Sequence, residues 1–476
     1  MNKTSTIYGP PGTGKTRTLS EIAAEEAGIV SRVAFLSYTR AAAKEAAGRT
    51  DSDIIDTRTL HSMAYAALGV NRASIVNRSK LMEFSRVTGI PFQGAEGDTD
   101  EEQQDGDIYL AVQQFARNRM IEPLDVYDLF GRPGQIAQFE MMLDAYASWK
   151  NTYGYLDFDD ILEQFINAQS VNVAEPPVFP VVILDEAQDC SPLQWRVFSL
   201  IAARAERVYI AGDDDQAIYE WSGADPHGMN AYTEHVNGNA RVLAQSHRVP
   251  RLVQKFALDA IISQMKRRVD KVFDPAPRDG TVTRYGDILD FPFNSLLGAD
   301  SAMILVRDRW RMKETQRMLH AELIPYRVAG AQPSPYENRW AHAIRGVGRI
   351  VCDSAGPTRA EITAMDKCVL PDAALLIRDK RWADLARLGW KRALAVPAYL
   401  RPFYESADLW APIKVVLSTI HAAKGTEADD VVVDLTLSPK TQEGVYNDRD
   451  AELRVMYVAV TRARHNLVLC GSNQLI

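Results

Sequence analysis

The sequence predicts an α/β protein with two parallel-sheet domains, each interrupted by a mainly helical insertion. Two observations lead to this prediction. Short β-rich segments alternate with helical patterns at both ends of the 476-residue chain, and this alternation is typical of parallel sheets. A glycine-rich segment also lies between the first predicted strand and the first predicted helix, as in nucleotide-binding α/β proteins.

The strand pattern defines the predicted domains. The predicted strands are residues 4–9, 32–38, 53–57, 180–185, 207–212, 240–244, 302–306, 413–419, 430–435 and 466–470. The intervening helical stretches predict a first sheet domain at 1–64 and 146–250 with an insertion at 65–145, and a second at 251–334 and 409–476 with a small insertion at 335–408. A helix that carries the basic cluster Lys266-Arg267-Arg268 is expected after Pro250.

Composition indicates a globular protein in the cytoplasm. Hydrophobic residues make up 46% of the chain and charged residues 24%, and no apolar run approaches the roughly 20 residues that cross a membrane. The four cysteines lack C-x-x-C spacing, which predicts neither a zinc site nor a disulfide framework. The net charge of −8 does not exclude a nucleic-acid partner, because binding depends on the local field. The acidic residues 96–107 are predicted to form a solvated or disordered loop.

Residues 9–16 fit the phosphate-binding pattern G-x-x-x-x-G-K-[ST]. Such a loop directs backbone N–H groups and a helix N-terminus at phosphates. Lys15 is expected to reach the β- and γ-phosphates, and the Thr16 hydroxyl to hold Mg²⁺. The predicted phosphate-binding residues are Gly9, Pro10, Pro11, Gly12, Thr13, Gly14, Lys15 and Thr16.

A second acidic motif follows a continuous apolar strand at residues 181–185. Strands of this kind are buried on both faces, and their carboxyl ends are where open α/β sheets bind ligands. We expect Asp185 to hold Mg²⁺ directly or through water, and Glu186 to orient or deprotonate the attacking water. The two motifs together predict a nucleoside triphosphate hydrolase.

Further motifs follow in a fixed order. They are residues 38–45 (motif Ia), 57–62 (Ib), 185–189 (II), 212–224 (III), 245–248 (IV), 418–427 (V) and 457–464 (VI). In this order they resemble the UvrD/Rep family of superfamily 1 DNA helicases. The resemblance spans nearly the whole chain and implies two RecA-like motor domains, use of ATP and Mg²⁺, and 3′→5′ movement on single-stranded DNA with separation of tailed duplexes.

The resemblance also implies roles for individual residues. Gln216 would connect the γ-phosphate to the neighbouring DNA-contacting segment. Arg248 and Arg462 would be arginine fingers in or near the second motor domain, so that ATP closes the cleft between the domains. Gly425 and Glu427 would contact the γ-phosphate and the ribose.

Adenine recognition departs from the family pattern. Only eight residues precede Gly9, and the glutamine motif that the family usually carries there does not fit. Arg17 resembles the family arginine that stacks on the base, while His247 stands where its tyrosine partner is usual. We expect ATP to be used, and the selectivity against other triphosphates stays open.

A groove that binds single strands without sequence preference needs aromatic platforms and phosphate contacts. Tyr38, Tyr219 and Trp221 are the predicted platforms. The predicted contacts to the strand backbone are Thr39, His61, Thr419 and His421.

Two alternatives remain open. One is a related enzyme with RNA preference or opposite polarity. The other is a DNA-stimulated ATPase that remodels nucleoprotein without unwinding, which the small second insertion favours. A monomer is expected, with a replication or repair protein as a candidate partner.

Overall fold

The computed structural model describes residues 3–38, 53–92, 104–130, 135–170, 177–330, 334–352 and 356–476. The predicted DNA contact Thr39, the rest of motif Ia and most of the acidic segment lie outside these residues. The chain divides into two compact units. The first comprises Met1–Asp279, Gly444–Thr461 and Leu475, and the second comprises Gly280–Glu443, Arg462–Gln474 and Ile476.

The first unit contains a parallel sheet of six strands in the order β3-β2-β4-β5-β1-β6. Its strands are β1 (Lys3–Tyr8), β2 (Val33–Ser37), β3 (Ile55–Thr59), β4 (Val181–Asp185), β5 (Arg207–Gly212) and β6 (Asn239–Val242). All six predicted strands of the first half are therefore confirmed, with shifts of a few residues at their ends. A separate parallel pair, β7 (Gln245–Pro250) and β8 (Asp274–Ala276), follows.

The second unit contains another six-stranded parallel sheet, in the order β11-β12-β10-β13-β14-β9. Its strands are β9 (Thr281–Tyr285), β10 (Ala302–Val306), β11 (Tyr326–Val328), β12 (Val415–Thr419), β13 (Ala428–Asp434) and β14 (Ala463–Cys470). The four predicted strands are confirmed. The two that were not predicted, β9 and β11, are the edge strands, which lack the continuous apolar run of a strand buried on both faces.

Helices surround both sheets. Those of the first unit are Lys15–Ala27, Leu60–Leu68, Arg78–Thr88, Asp105–Arg119, Pro123–Tyr127, Ile136–Tyr153, Phe158–Ser170, Pro192–Ala202, Gly228–His235, Arg251–Ala260 and Arg449–Val460. Those of the second are Arg309–Ala321, Arg339–Cys352, Arg359–Cys368, Pro371–Arg378, Trp382–Leu388, Trp390–Ala393 and Arg401–Ser406, and Pro439–Asn447 contains the boundary at residue 444. Within the described ranges, no helix combines the length and apolar character needed to span a membrane.

Two local predictions are wrong. The helix Arg251–Ala260 ends before the basic cluster, which lies in a loop. There the Asp450 carboxylate accepts the backbone N–H groups of Lys266 and Arg267, so these groups are satisfied without a helix. Residues 105–107 of the acidic segment begin the helix Asp105–Arg119 instead of a loop, where acids favour the positive helix N-terminus.

The two insertions differ in how they are packed. Aromatic residues between Phe84 and Trp149 form a hydrophobic core of their own. The helices of the second insertion share one core with the second sheet, in which Met365 and Leu385 pack with Ile304 of β10. The domain boundaries also differ from expectation, because residues 251–279 and 444–461 belong to the first unit.

Leu385→Ala tests the shared core of the second unit. Leu385 is fully buried, so we expect the free energy of unfolding to fall by about 2–5 kcal/mol. Leu375→Ala is the matched control, because Leu375 is 56% exposed and its truncation should change the value by at most about 0.5 kcal/mol. Urea denaturation measures both. Equal effects of the two substitutions would contradict the shared core.

Candidate functional site

The phosphate-binding loop joins β1 to the helix Lys15–Ala27. Gly12 and Gly14 have left-handed φ angles of 74° and 82°, which glycine adopts without strain. Gly14 immediately precedes the helix, so the N–H groups of the first turn face the loop. The Lys15 ammonium donates to the backbone oxygen of Gly9 at 2.8 Å. Its positive charge therefore lies over the loop, as phosphate binding requires.

Thr16 and Asp185 provide neighbouring oxygen atoms beside this loop. The Thr16 hydroxyl donates to Asp185 Oδ2 at 2.7 Å, and Asp185 is fully buried at the end of β4. Burial and the neighbouring Glu186 raise the pKa of Asp185 to about 7, against the opposing hydrogen bond from Thr16. A divalent cation would favour the ionised carboxylate. Hydroxyl and carboxylate oxygens are ligands that Mg²⁺ accepts, so the residues fit this ion.

A chain of hydrogen bonds connects motifs II and III. Gln188 Nε2 donates to Glu186 Oε2 at 2.5 Å, and Gln188 Oε1 accepts the backbone N–H of Asp213 at 3.0 Å. Gln216 Nε2 in turn donates to Asp213 Oδ2 at 2.7 Å. Glu186 adopts a left-handed φ of 53°, which is costly for a residue other than glycine and is common at functional sites. The predicted catalytic residues Asp185, Glu186 and Gln216 thus belong to one network.

Three buried acids follow β5 and converge on one lysine. Lys271 Nζ lies 3.1 Å from Asp213 Oδ1 and 2.9 Å from Asp215 Oδ2, and it also donates to Asp214. Arg268 donates two hydrogen bonds to Asp215, at 2.9 and 2.8 Å. These two cations compensate most of the negative charge that motif III places inside the protein.

The acid cluster therefore surrounds a lysine side chain of the same protein. The three carboxylates are close enough together to hold a metal ion, but the Lys271 ammonium already lies among them. Burial alone would lower the pKa of Lys271, but the three carboxylates outweigh burial and raise it. Sequence reasoning missed Lys271, because nothing in its spacing relates it to acids more than 50 residues upstream.

Motif IV packs directly on the phosphate-binding loop. The Ser246 hydroxyl donates to the backbone oxygen of Pro11 at 2.7 Å, and the His247 N–H donates to that of Gly12 at 2.9 Å. A Cβ at Gly12 would lie 2.3 Å from the Cβ of Arg248, so the close approach requires glycine. Arg248 lies in the first unit, and its role as an arginine finger stays a prediction.

The two predicted base-contacting residues differ in surroundings. Arg17 is exposed and pairs with Glu21 on the same helix at 2.9 Å. The His247 side chain is also exposed, although its backbone is held by the loop. Both side chains are accessible to a ligand.

The three predicted aromatic platforms are not equivalent. The rings of Tyr38 and Tyr219 stack on each other, with centroids 5.6 Å apart and planes at 26°. Burial raises the pKa of Tyr38 to about 12. Trp221 is 66% exposed in the short turn Glu220–Ser222. Of the three, Trp221 therefore presents the largest open surface.

His61 lies in the helix Leu60–Leu68, which begins at a Thr59 cap. Its ring meets that of Phe158 edge-on, with centroids 5.9 Å apart. Burial lowers the pKa of His61 to about 4, so the imidazole is neutral at pH 7. Sequence reasoning did not single out Phe158, which is 51% exposed; its place in an apolar helix pattern gave no functional signal.

The predicted residues of the second unit lie at the end of β12, in the loop that follows it, and directly before β14. Arg462 is buried and donates to the backbone oxygen of Thr426 at 3.2 Å, between Gly425 and Glu427. Thr419 ends β12, and His421 follows it. Because the strands are parallel, the loop between Thr419 and β13 runs from the carboxyl edge of the second sheet to its amino edge.

Two family models match this chain. The model described as the UvrD/REP helicase N-terminal domain matches residues 1–237, and the UvrD-like helicase C-terminal domain matches residues 414–470. The chain belongs to the UvrD/Rep helicase family. Its two six-stranded parallel sheets confirm the expected α/β fold with two RecA-like domains.

Individual relatives are distant. The ATP-dependent DNA helicase UvrD2 of Mycobacterium tuberculosis is 26% identical over 541 aligned residues, covering 97% of this chain and 76% of that protein. The ATP-dependent DNA helicase PcrA of Bacillus subtilis is 26% identical over 283 residues, covering 54% and 37%. A solved structure of arterivirus nonstructural protein 10 (helicase) with DNA covers 99% of this chain and 62% of that chain at 11% identity and TM-score 0.38, which is too weak a likeness to support an argument.

Lys271→Met tests the compensation of the acid cluster. The substitution leaves buried carboxylates without their shared cation, so we expect the free energy of unfolding to fall by about 3–5 kcal/mol. Lys255→Met is the control, because Lys255 forms an exposed pair with Asp259 that contributes at most about 1 kcal/mol. Both are measured by urea denaturation at pH 7. A Lys271→Met protein as stable as the control would show that the cluster does not depend on Lys271.

Proposed function

We propose that this chain is an ATP- and Mg²⁺-dependent DNA translocase and helicase that moves 3′→5′ on single-stranded DNA and separates tailed duplexes. One observation carries the proposal. Hydrogen bonds lead from Thr16 of the phosphate-binding loop through Asp185 and Glu186 and on to Gln216, which lies in the motif that carries the exposed Trp221. The relatives are ATP-dependent DNA helicases by name, which supports ATP and DNA as substrates, and the polarity rests on family resemblance.

The hydrolytic step is assigned to residues of the phosphate-binding loop and of motifs II, IV and VI. Lys15 binds the β- and γ-phosphates, and Glu186 orients or deprotonates the attacking water. Thr16 and Asp185 hold Mg²⁺, which neutralises charge on the phosphates when bound. Arg248 and Arg462 stabilise the transferring phosphoryl group.

Nucleotide contacts extend beyond the phosphate-binding loop. Arg17 and His247 stack on the base, while Gly425 and Glu427 contact the γ-phosphate and the ribose. Stacking accepts any base, because every base has a π-face. We therefore expect the enzyme to discriminate only modestly among the four common nucleoside triphosphates.

Coupling to DNA follows from the position of Gln216. Its side chain is positioned by a hydrogen bond to Asp213, and it lies five residues before Trp221 in the chain. Loss of the γ-phosphate therefore changes the position of the residue on which a base stacks. Tyr38 and Tyr219 support that platform. The backbone of the strand is followed by Thr39, His61, Thr419 and His421, of which His61 contributes hydrogen bonds without charge.

The setting of the enzyme completes the proposal. It acts as a cytoplasmic monomer on single-stranded and tailed duplex DNA, with a replication or repair protein as partner.

Remodelling of nucleoprotein without unwinding is the second candidate. It is favoured by the second insertion, whose described residues share one core with the second sheet.

Trp221→Ala should weaken DNA binding while sparing hydrolysis in the absence of DNA. Losing one stacking platform costs about 1–3 kcal/mol, which corresponds to a rise of about 5- to 150-fold in the Kd for an oligothymidylate. Trp410→Ala is the matched control, because Trp410 is 52% exposed and its ring lies against Gly348 and Arg349 of the second insertion. Fluorescence anisotropy measures both. An unchanged Kd in Trp221→Ala would remove Trp221 from the DNA path.

Strand displacement tests the proposed reaction and its polarity. We expect wild-type protein to unwind 3′-tailed DNA duplexes but not 5′-tailed or blunt ones. When the four common nucleoside triphosphates are compared, ATP is expected to be among those that support the reaction. Asp185→Asn, which loses a Mg²⁺ ligand, is the inactive control. Unwinding of only 5′-tailed duplexes, or of RNA alone, would overturn the assigned polarity or substrate.

Removal of streptavidin from a 3′-biotinylated or 5′-biotinylated single strand separates the second candidate from the first. Streptavidin displacement without unwinding of any duplex would establish the remodelling enzyme. Hydrolysis that DNA does not stimulate would contradict both candidates.

A further inference from the structure

Arg454 is a buried charge outside the proposed reaction centre. It lies in the helix Arg449–Val460 and is completely buried. Its Nη1 donates to Glu220 Oε1 at 2.5 Å, and its Nη2 donates to the backbone oxygen of Arg267 at 2.9 Å. A buried guanidinium is tolerated only where such partners compensate it. The Arg454–Glu220 ion pair therefore fixes the helix to the residue that precedes Trp221.

The turn that carries Trp221 is held on its other sides as well. The ring of Tyr219 stacks on Tyr38. A Cβ at Gly223 would lie 2.7 Å from the Cβ of Asn118, so the helix Asp105–Arg119 approaches the turn closely. These contacts and the Arg454–Glu220 ion pair together position the turn.

The helix is anchored at its start and leads toward a nucleotide contact. Asp448 caps it and pairs with Arg267 at 2.7 Å. Asp450 accepts the backbone N–H of Arg267 at 2.8 Å. The helix ends at Val460, two residues before Arg462. Because helices shift as rigid elements, a displacement of the helix end at Val460 also moves Arg454, which belongs to the same helix.

We propose that the Arg454–Glu220 ion pair is a positioning contact that couples the nucleotide state sensed by Arg462 to the orientation of Trp221 on DNA. This inference rests on the proposed function. Neither residue touches nucleotide or DNA in this scheme. Each acts through its neighbour in the chain, so that nucleotide binding changes the affinity for DNA by moving the helix.

The test compares DNA affinity with and without nucleotide. Anisotropy gives the Kd of a labelled oligothymidylate in Mg²⁺ alone and with a non-hydrolysable ATP analogue, and the ratio of the two values is the coupling factor. For wild type we expect a factor of about 5 or more. In Glu220→Gln and Arg454→Met the factor should approach 1, while the Kd without nucleotide and hydrolysis without DNA stay close to wild type.

Two further variants separate coupling from stability. Either single substitution leaves one charge of the ion pair without its counter-charge, whereas the double variant Glu220→Gln/Arg454→Met removes both charges and should fold more readily. It should be equally uncoupled. Asp287→Asn is the matched control, because Asp287 pairs with the buried Arg311 of the second unit at 2.7 Å. It should retain the wild-type factor at a similar melting temperature.

The outcomes distinguish this inference from the proposed function. If wild type couples and the folded double variant couples equally well, the ion pair has no positioning role and only this inference fails. If Asp287→Asn is uncoupled too, the effect reflects stability and the inference also fails. If wild type binds no single-stranded DNA, the proposed function fails first and this inference with it.

Discussion

The burial of negative charge at the carboxyl edge of the first sheet is the constraint on which this structure depends. Asp185 follows β4, and Asp213, Asp214 and Asp215 follow β5; all four are buried. Parallel strands bring such residues to one edge, where like charges destabilise one another unless cations or hydrogen bonds compensate them. Lys271 and Arg268 supply that compensation. Their loop is thereby fixed beside motif III, although it lies far along the chain.

That loop in turn fixes other parts of the first unit. The backbone N–H groups of Lys266 and Arg267 bind Asp450, and the backbone oxygen of Arg267 binds Arg454. The helix Arg449–Val460 is thus held to the same edge as the acids, and through Glu220 it holds the turn of Trp221. Charge compensation in the interior therefore determines where an exposed aromatic side chain stands. Stability and function depend on one set of contacts.

The sequence predicted what short-range order dictates. The central strands were found because continuous apolar runs mark strands buried on both faces. The phosphate-binding loop was found because it lies between a strand and a helix that are adjacent in the chain, whereas its contact with Asp185, 169 residues away, was expected only from the Mg²⁺ role given to both motifs. The edge strands β9 and β11 carry a weaker pattern and were missed. Arg454 and Glu220 are 234 residues apart, so no local pattern relates them. The sequence of the basic cluster is compatible with a helix or a loop, and its contact with Asp450 favours the loop.

The two insertions differ in the movements that their packing permits. The first has its own core around Phe84 and Trp149, so a shift of this insertion as a body would leave that core intact but would break the ion pairs of Arg117 with Asp157, Asp160 and Glu163. Its helix Asp105–Arg119 approaches Gly223 beside Trp221, and such a shift would act on the DNA platform directly. The second insertion shares Leu385 and Met365 with the core of its sheet. Moving it would expose that core, which costs about 25 cal/mol for each Å² of apolar surface. Movement of the first insertion therefore has to break ion pairs, whereas movement of the second has to expose apolar surface.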